Sequence, residues 1–583
     1  MTFNDLNTAW GSLIVEECFR QGVEYFCISP GSRSTPLTVA VARHPKIKSI
    51  VHFDERGLAF HALGVVSATK KPVVLICTSG TAVANFLPAV IEASKKKLPL
   101  IVITADRPPE LRQTGSVQTI DQVGIFGKYV VWQTDMPCPD LSIKPEVVLT
   151  TIDQAVYQSI RRGGVVHINC MFREPLISTM SSPKSSVGDP VINKYLKNLN
   201  AWSKSKQPYT KYVTGVENIH IPEAKNIAAR IDKIKNGLIV VGKIGNEAER
   251  NAVIHFARRL GWPIIADISS GLRLGEKSEE VIHYYDQLLL TLPKEKLNVD
   301  GIIHLGGRIT SKRFYDFINA SSCQEYIMVL NHALRNDPTH QVSLRIETTV
   351  TNFCDSVSPF IKPRAKSKHL NFLIKANAAL DKKIDVYLAH NGSLSEPLVA
   401  RLVSKHIPHL SGLFLGNSMP IRDMDMYADF KGPMVHVNGN RGASGIDGLI
   451  AAASGFAAGL KKPVTLMIGD ISALHDLNSL AMLRDIQQPL VIVVLNNGGG
   501  GIFSFLPIAK QADVFEKFFG TPHGYTFANA AAMFELNYAQ PRSAGEFIKS
   551  YKHALTSSTS TIIEVINTRD ENTKLHQQLQ SSL

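Results

Sequence analysis

Short aliphatic runs recur along the chain, each followed by a stretch whose apolar positions repeat every three or four residues. The run EYFCISP (24–30) predicts a strand entering the turn GSRSTP, with a helix beyond it. VVLICTSGTAVANFLPAVIEASKKKLPLIVITADRPP reads as strand, helix, strand, and GGVVHINC (163–170) closes this section. The pattern resumes with NGLIVVGKI, the helical EAERNAVIHFARRLG, WPIIADISS, VDGIIHLGGRITSKRF and EYIMVLNHA. A third section holds GLFLGNSMPIRD, MVHVNGNRGASGIDG, PVTLMIGD, PLVIVVLNN and STIIEVIN. The polar STMSSPKSSVGDPVINK and the basic FIKPRAKSKH read as linkers between sections. Strands alternating with helices predict an α/β protein of three successive doubly wound parallel-sheet domains, at 1–185, 186–365 and 366–583.

Composition agrees with that division. The chain has 583 residues, 44% of them hydrophobic, enough for three or four cores at roughly 150 residues each. No stretch supplies the roughly 20 apolar residues of a membrane helix. The longest candidate, GLIAAASGFAAGL (448–460), predicts instead a small-residue helix in close contact with a neighbour. The opening MTFNDLNTAW carries no signal pattern, and seven cysteines lack any C-x-x-C spacing, so reduced thiols in a cytoplasmic protein are expected. A formal charge of +13 favours anionic partners. Because Lys and Arg are dispersed, small polyanionic substrates fit better than nucleic acid.

The candidate chemistry lies at strand ends, where open parallel sheets bind ligands. Asp470 ends one apolar run and Asn496-Asn497 ends the next, followed by four glycines. A carboxylate and a side-chain amide offer hard oxygens suited to magnesium or calcium, and Gly499 could add a backbone carbonyl. NGNRGASG (438–445), ahead of a helix, offers amide N–H groups for phosphate oxygens. Singly, each piece has a plainer reading: Asp470 as a helix cap, NNGGGG as a turn, the spaced glycines as helix packing. In order, they describe a diphosphate held through one divalent ion.

On these residues the chain resembles the thiamine-diphosphate-dependent decarboxylases and synthases, whose motif is a Gly-Asp followed about 30 residues later by Asn. Gly469-Asp470-Ile471 departs from the usual Gly-Asp-Gly but keeps the metal-binding Asp. Within that superfamily it is most similar to the 2-succinyl-5-enolpyruvyl-6-hydroxy-3-cyclohexene-1-carboxylate synthases of menaquinone biosynthesis. SPGSRSTPL, FDERGLAFHALG, TSGTAVANFLPAV, TADRPPELR, GNSMPIRD, NGNRGASGIDG and NNGGGGIFSFLP carry the resemblance, with GGRITSKR in the middle section.

The resemblance implies pyrimidine-binding, central and diphosphate-binding domains. It implies thiamine diphosphate with Mg2+ or Mn2+ as cofactors, and 2-oxoglutarate and isochorismate as substrates. Glu55 would be the catalytic carboxyl on the aminopyrimidine. Asp470, Asn497 and Gly499 would hold the metal. Gly416, Ser418, Ser444, Ile446, Gly469, Ile471 and Ile502 would complete the cofactor site. Ser32, Arg33, Arg107, Gln118, Lys312, Asn417, Ser418, Arg422 and Arg441 would bind carboxylates and polar groups, beside an apolar wall of Ile502, Phe503 and Leu506. The cofactor would lie between subunits, making a homodimer or homotetramer. Competing readings are a pyruvate-using carboligase of the same superfamily and a non-catalytic anion-binding protein. A Rossmann dehydrogenase is disfavoured because VVGKIGNEAER lacks G-x-G-x-x-G spacing.

Overall fold

The aliphatic runs read above become strands buried on both faces, as parallel sheets require. The computed structural model describes residues 3–178, 188–215, 218–321, 323–390, 393–484 and 486–582. Much of the linker STMSSPKSSVGDPVINK therefore lies outside the described residues, although Pro190–Tyr195 is helical.

The first sheet comprises β1 (Tyr25–Ile28), β2 (Lys48–Val51), β3 (Val73–Cys77), β4 (Leu100–Asp106), β5 (Val130–Met136) and β6 (Val165–Met171), in the order β2-β1-β3-β4-β6-β5. The second comprises β7 (Gly237–Val241), β8 (Ile264–Ala266), β9 (Val281–Ile282), β10 (Gly301–Leu305), β11 (Glu325–Leu330) and β12 (Leu344–Glu347), in the order β12-β11-β10-β7-β8-β9. The third comprises β13 (Gly412–Leu415), β14 (His436–Asn438), β15 (Val464–Gly469), β16 (Leu490–Asn496), β17 (Asn537–Ala539) and β18 (Thr561–Ile566), in the order β14-β13-β15-β16-β18-β17. Neighbouring strands pair in parallel, for example Gly469 beside Leu495. The strand order reverses at β1/β3, β7/β10 and β13/β15, and such reversals leave a crevice at the strands' carboxyl ends.

Contacts group the chain into two compact units. One joins Met1–Thr214, Asn440–Lys462 and Leu474–Gln488, and holds the first sheet. Inside it, the predicted small-residue helix, Leu449–Leu460, packs on the helix Glu55–Thr69. A Cβ at Gly64 would stand 2.0 Å from Ala452 O, and one at Gly455 1.9 Å from His61 O, so both positions need glycine. The His61 imidazole meets Ser454 Oγ at 2.7 Å, and burial pushes its pKa down to about 3, leaving it neutral. Asp476 caps the same helix by accepting from Ile450 N at 2.7 Å and Ala451 N at 3.0 Å. The stretch after Pro190 also packs on this sheet's core, through Leu199 and Trp202. There Glu17 accepts from Trp202 Nε1 and Tyr209 N, both at 2.6 Å, while Asp153 accepts from Gln21 Nε2 and Thr210 N.

The second unit, Gly215–Gly439, Pro463–Ala473 and Pro489–Leu583, holds the other two sheets. One buried cation there is held by carboxylates. Arg401, 2% exposed at its side chain, donates to Asp381 and Asp385 at 2.7 Å each. All seven cysteines are free, and six are buried. Among the described residues no helix is long and apolar enough to cross a membrane.

Candidate active site

In the first unit the predicted substrate residues gather at the β1/β3 reversal. A Cβ at Gly31 would strike Thr78 Cβ at 2.2 Å, so only glycine lets the two strand ends meet there. Thr78 Oγ1 in turn accepts from Arg33 N at 3.2 Å. The Arg33 side chain is buried, donating to Phe172 O at 2.9 Å and to Glu174 Oε1 at 2.8 Å. Arg107, just past β4, brings its Nη1 to 3.9 Å from the same Glu174 oxygen and donates from Nη2 to Val117 O. Two of the predicted arginines thus converge on one carboxylate, which belongs to the chain itself and is 71% exposed at its side chain. Ser32 is exposed beside them. Gln118 is exposed too, with a left-handed backbone (φ 53°).

Gln122 fastens this region. Its Oε1 accepts from Gly80 N at 2.9 Å, and its Nε2 donates to Ala105 O and to Asn169 Oδ1. Asn169 Nδ2 donates to both Asp106 and Asp135, which Arg112 also bridges. Burial still raises the Asp106 pKa against those partners.

Glu55 opens its helix, half-buried, with Asn85 Nδ2 donating to Oε2 at a long 3.4 Å. The neighbouring Asp54 is the cap, accepting from Gly57 N, and Arg56 turns to His475 O at 2.9 Å. The loop carrying Arg441 and Ser444 is held by a residue that motif reading passed over. Glu92, 2% exposed, accepts from Gly442 N at 2.7 Å and Ala443 N at 2.6 Å. Ser444 is left-handed (φ 63°), and Arg441 and Ile446 are half-buried.

In the second unit the β13/β15 reversal brings a second set together. Gly416 N donates to Met467 O at 2.8 Å, which tucks the chain leaving β13 against β15. Asn417 is buried, and Ser418 adopts φ 71°, ψ −131°, a conformation costly for a residue with a Cβ. The Arg422 guanidinium donates back to Ser418 O. A Cβ on Gly469 would meet nothing within 4 Å, so space is open there. Asp470, 2% exposed, accepts from Ile471 N at 2.6 Å and from Gly499 N at 2.9 Å. Its pKa is raised, chiefly by burial. Gly499 has no room for a side chain, since a Cβ would lie 2.2 Å from Gly520 O.

Asn497 Oδ1 is buried without a hydrogen bond, while its Nδ2 donates to Glu396 Oε1 at 2.9 Å. Burial, with Asp423 nearby, pushes Glu396 up to about 8. Its carboxyl fixes which way the Asn497 amide faces. The Asp470 carboxylate and the orphaned Asn497 oxygen, which follow adjacent strands, are hard oxygens of the type that could hold a divalent cation. His523 Nε2 stands 3.3 Å from Asp470 Oδ2.

The glycine run is pinned by Gly500 N donating to Gly520 O at 2.7 Å, and short 3-10 turns follow. Ile502 packs on the core, Phe503 meets the Phe519 ring edge-on at 5.7 Å, and Leu506 is 47% exposed. Lys312 lies apart from this group in sequence and sheet, exposed at the start of the helix after β10.

Gln122, Glu92, Glu174 and Glu396 escaped the sequence reading because each acts through backbone or side-chain partners distant in the chain. For Glu92 alone there was a signal: an acid on the otherwise apolar face of the helix LPAVIEASKK.

Comparison with known families names the class of protein to which these strand-end sites belong. Residues 9–125 match the N-terminal TPP binding domain of thiamine pyrophosphate enzymes, 423–565 the C-terminal TPP binding domain, and 193–415 the middle domain. This is a thiamine pyrophosphate enzyme. A protein of Rubrobacter xylanophilus called 2-succinyl-5-enolpyruvyl-6-hydroxy-3-cyclohexene-1-carboxylate synthase is 44% identical over 98% of each chain. Synthases of the same name from Prosthecochloris aestuarii and Salinibacter ruber are each 42% identical, over 100% and 98% of this chain and 98% and 96% of theirs. The chain belongs to the family of these synthases.

Proposed function

We propose that the protein decarboxylates 2-oxoglutarate and adds the succinyl unit to isochorismate, giving 2-succinyl-5-enolpyruvyl-6-hydroxy-3-cyclohexene-1-carboxylate and CO2 in menaquinone biosynthesis. The full-length match to synthases of that name carries this reading. Bound thiamine diphosphate supplies the nucleophilic carbon and the electron sink. Asp470, the Asn497 amide oxygen and the Gly499 carbonyl hold Mg2+ or Mn2+, which neutralises the diphosphate. Glu396, by gripping Asn497 Nδ2, keeps the amide oxygen turned toward the metal. Glu55 holds a proton at N1′ of the aminopyrimidine. Gly416, Ser418, Ser444, Ile446, Gly469, Ile471 and Ile502 shape the surrounding cradle.

Both substrates are dicarboxylates, so cationic forks are needed. Arg33, Arg107, Arg422 and Arg441 with Lys312 serve that need, and Ser32, Gln118, Asn417 and Ser418 supply neutral hydrogen bonds. The convergence of Arg33 and Arg107 on Glu174 supports it, since a carboxylate is already accommodated there. Ile502, Phe503 and Leu506 exclude water from the reacting carbon. The cofactor is shared between two copies of the chain in a cytoplasmic homodimer or homotetramer. The domain limits proposed from the sequence are 1–185, 186–365 and 366–583, with the stretch up to Thr214 packing on the first domain.

The deciding assay is CO2 release from 2-oxoglutarate against pyruvate, with isochorismate present and the product identified by mass. Preference for pyruvate would replace this assignment with a different carboligase of the same superfamily.

A further inference from the structure

The stretch GTPHGY (520–525), rich in turn residues, returns across the glycine run after β16 and reaches Asp470. Backbone bonds fix its course: Gly500 N donates to Gly520 O at 2.7 Å, and His523 N to Gly498 O at 3.2 Å. Thr521 takes a left-handed φ of 40°, which a β-branched residue adopts only where its surroundings impose it. The strap is also tied to β18. Asn496 Nδ2 donates to Tyr525 O at 3.0 Å and to Glu564 Oε1 at 2.6 Å. Glu564, fully buried, accepts as well from Phe527 N at 3.1 Å and from the Tyr538 hydroxyl at 2.6 Å.

This frame turns the His523 side chain inward, 8% exposed, with the exposed Tyr525 ring stacked on it at 5.5 Å. The two ring nitrogens then have distinct roles. Nδ1 lies 3.2 Å from Tyr525 N, and an amide N–H can only donate, so Nδ1 carries the lone pair. The ring proton is therefore on Nε2, which stands 3.3 Å from Asp470 Oδ2 and makes no hydrogen bond elsewhere among the described residues. Asp470 Oδ2 also accepts from Gly499 N, and Oδ1 from Ile471 N, so three N–H groups surround one carboxylate. An imidazole in this tautomer is neutral. It can orient an anion without repelling a cation, and its protonated Nε2 has no lone pair with which to ligate one.

We infer that His523 is a positioning residue of the metal site: its Nε2–H holds the Asp470 carboxylate in the orientation that binds a divalent cation, while the imidazole takes no place among the ligands. The inference rests on the reading of Asp470 as a metal ligand, and it does not depend on which substrates the enzyme joins.

Titration of the full chain with Mn2+ in the presence of thiamine diphosphate and without substrate, followed by electron paramagnetic resonance, tests it. His523→Leu removes the donor at similar bulk and weakens Mn2+ binding about 10- to 100-fold. His523→Gln, whose side-chain amide can donate to the same oxygen, restores affinity to within about threefold of wild type. Should His523→Leu fail to fold, two measurements on the wild type decide. Spin-echo spectra of the bound Mn2+ lack a directly coordinated imidazole nitrogen. The ring nitrogen resonances that disappear in His523→Gln show Nε2 protonated and Nδ1 bare. Unchanged affinity in His523→Leu, equal weakening by Leu and Gln, a coordinated imidazole nitrogen or a proton on Nδ1 alone each overturns the inference. Failure of the wild type itself to bind Mn2+ with thiamine diphosphate would overturn the reading of Asp470 beneath it.

Discussion

Glu55 is half-buried and loosely held by Asn85, which leaves its carboxyl free to serve a ligand. Replacing it with Gln keeps size and most hydrogen bonding but removes the exchangeable acid. Turnover should fall about 10²- to 10⁴-fold while thiamine diphosphate affinity changes little, measured by steady-state rates beside cofactor titration. Near-normal turnover would remove Glu55 from the chemistry. Glu174 poses the opposite case. Its carboxylate sits within 2.8 Å of Arg33 and 3.9 Å of Arg107, and a dicarboxylate bound there, as proposed, would compete for those guanidinium groups. Glu174→Gln should lower KM for one of the two substrates about 3- to 10-fold with kcat nearly unchanged. A rise in KM would mean that Glu174 positions the arginines rather than competing for them.

Among elements, the segment after Pro190 is fastened to the first sheet by two buried acids, Glu17 and Asp153. Burial, then the hydrogen bond with Asp153, pushes Glu17 up to about 8 from an ordinary value of 4.5. The folded state therefore holds a proton that the unfolded chain has lost. Stability from this pair is complete below about pH 4.5, falls as pH rises toward 8, and is level beyond. Thermal midpoints of the wild type should decline across that window relative to Glu17→Gln, which cannot ionise. Parallel curves for the two proteins would rule the pair out as the cause.

The same scale shows what the sequence could convey. Interior strands such as β4 and β16 were plain because burial on both faces demands continuous aliphatic residues. The unread strands, β2, β5, β9, β12 and β17, all lie at sheet edges. Edge strands bury less, so KSIV and NYA carry no aliphatic run to notice. The site followed the same logic. Asp470 and Asn497 stood out because local strand-to-turn grammar places them. The grips of Glu92 on Gly442 and of Glu396 on Asn497 span 350 and 101 residues, beyond any local pattern.

For the whole molecule, the proposed sharing of the cofactor between two copies makes a strong prediction. Asp470→Ala should abolish activity by weakening metal and cofactor together, as Glu55→Gln abolishes it by removing the acid. Each heterodimer of the two variants would contain one site with both faults and one with neither. Equal mixing after reversible dissociation should restore about a quarter of wild-type activity. If the mixture stays dead, both residues serve a site from a single chain.

The first unit is assembled from three separate lengths of chain, the last ending at Gln488. On the ribosome its opening 214 residues emerge long before the helix that lies against Gly64. At about 5–20 residues per second, tens of seconds pass before that partner is made. Throughout that interval the nascent protein lacks the segment that covers the helix face around Gly64, which makes it a natural client for chaperones.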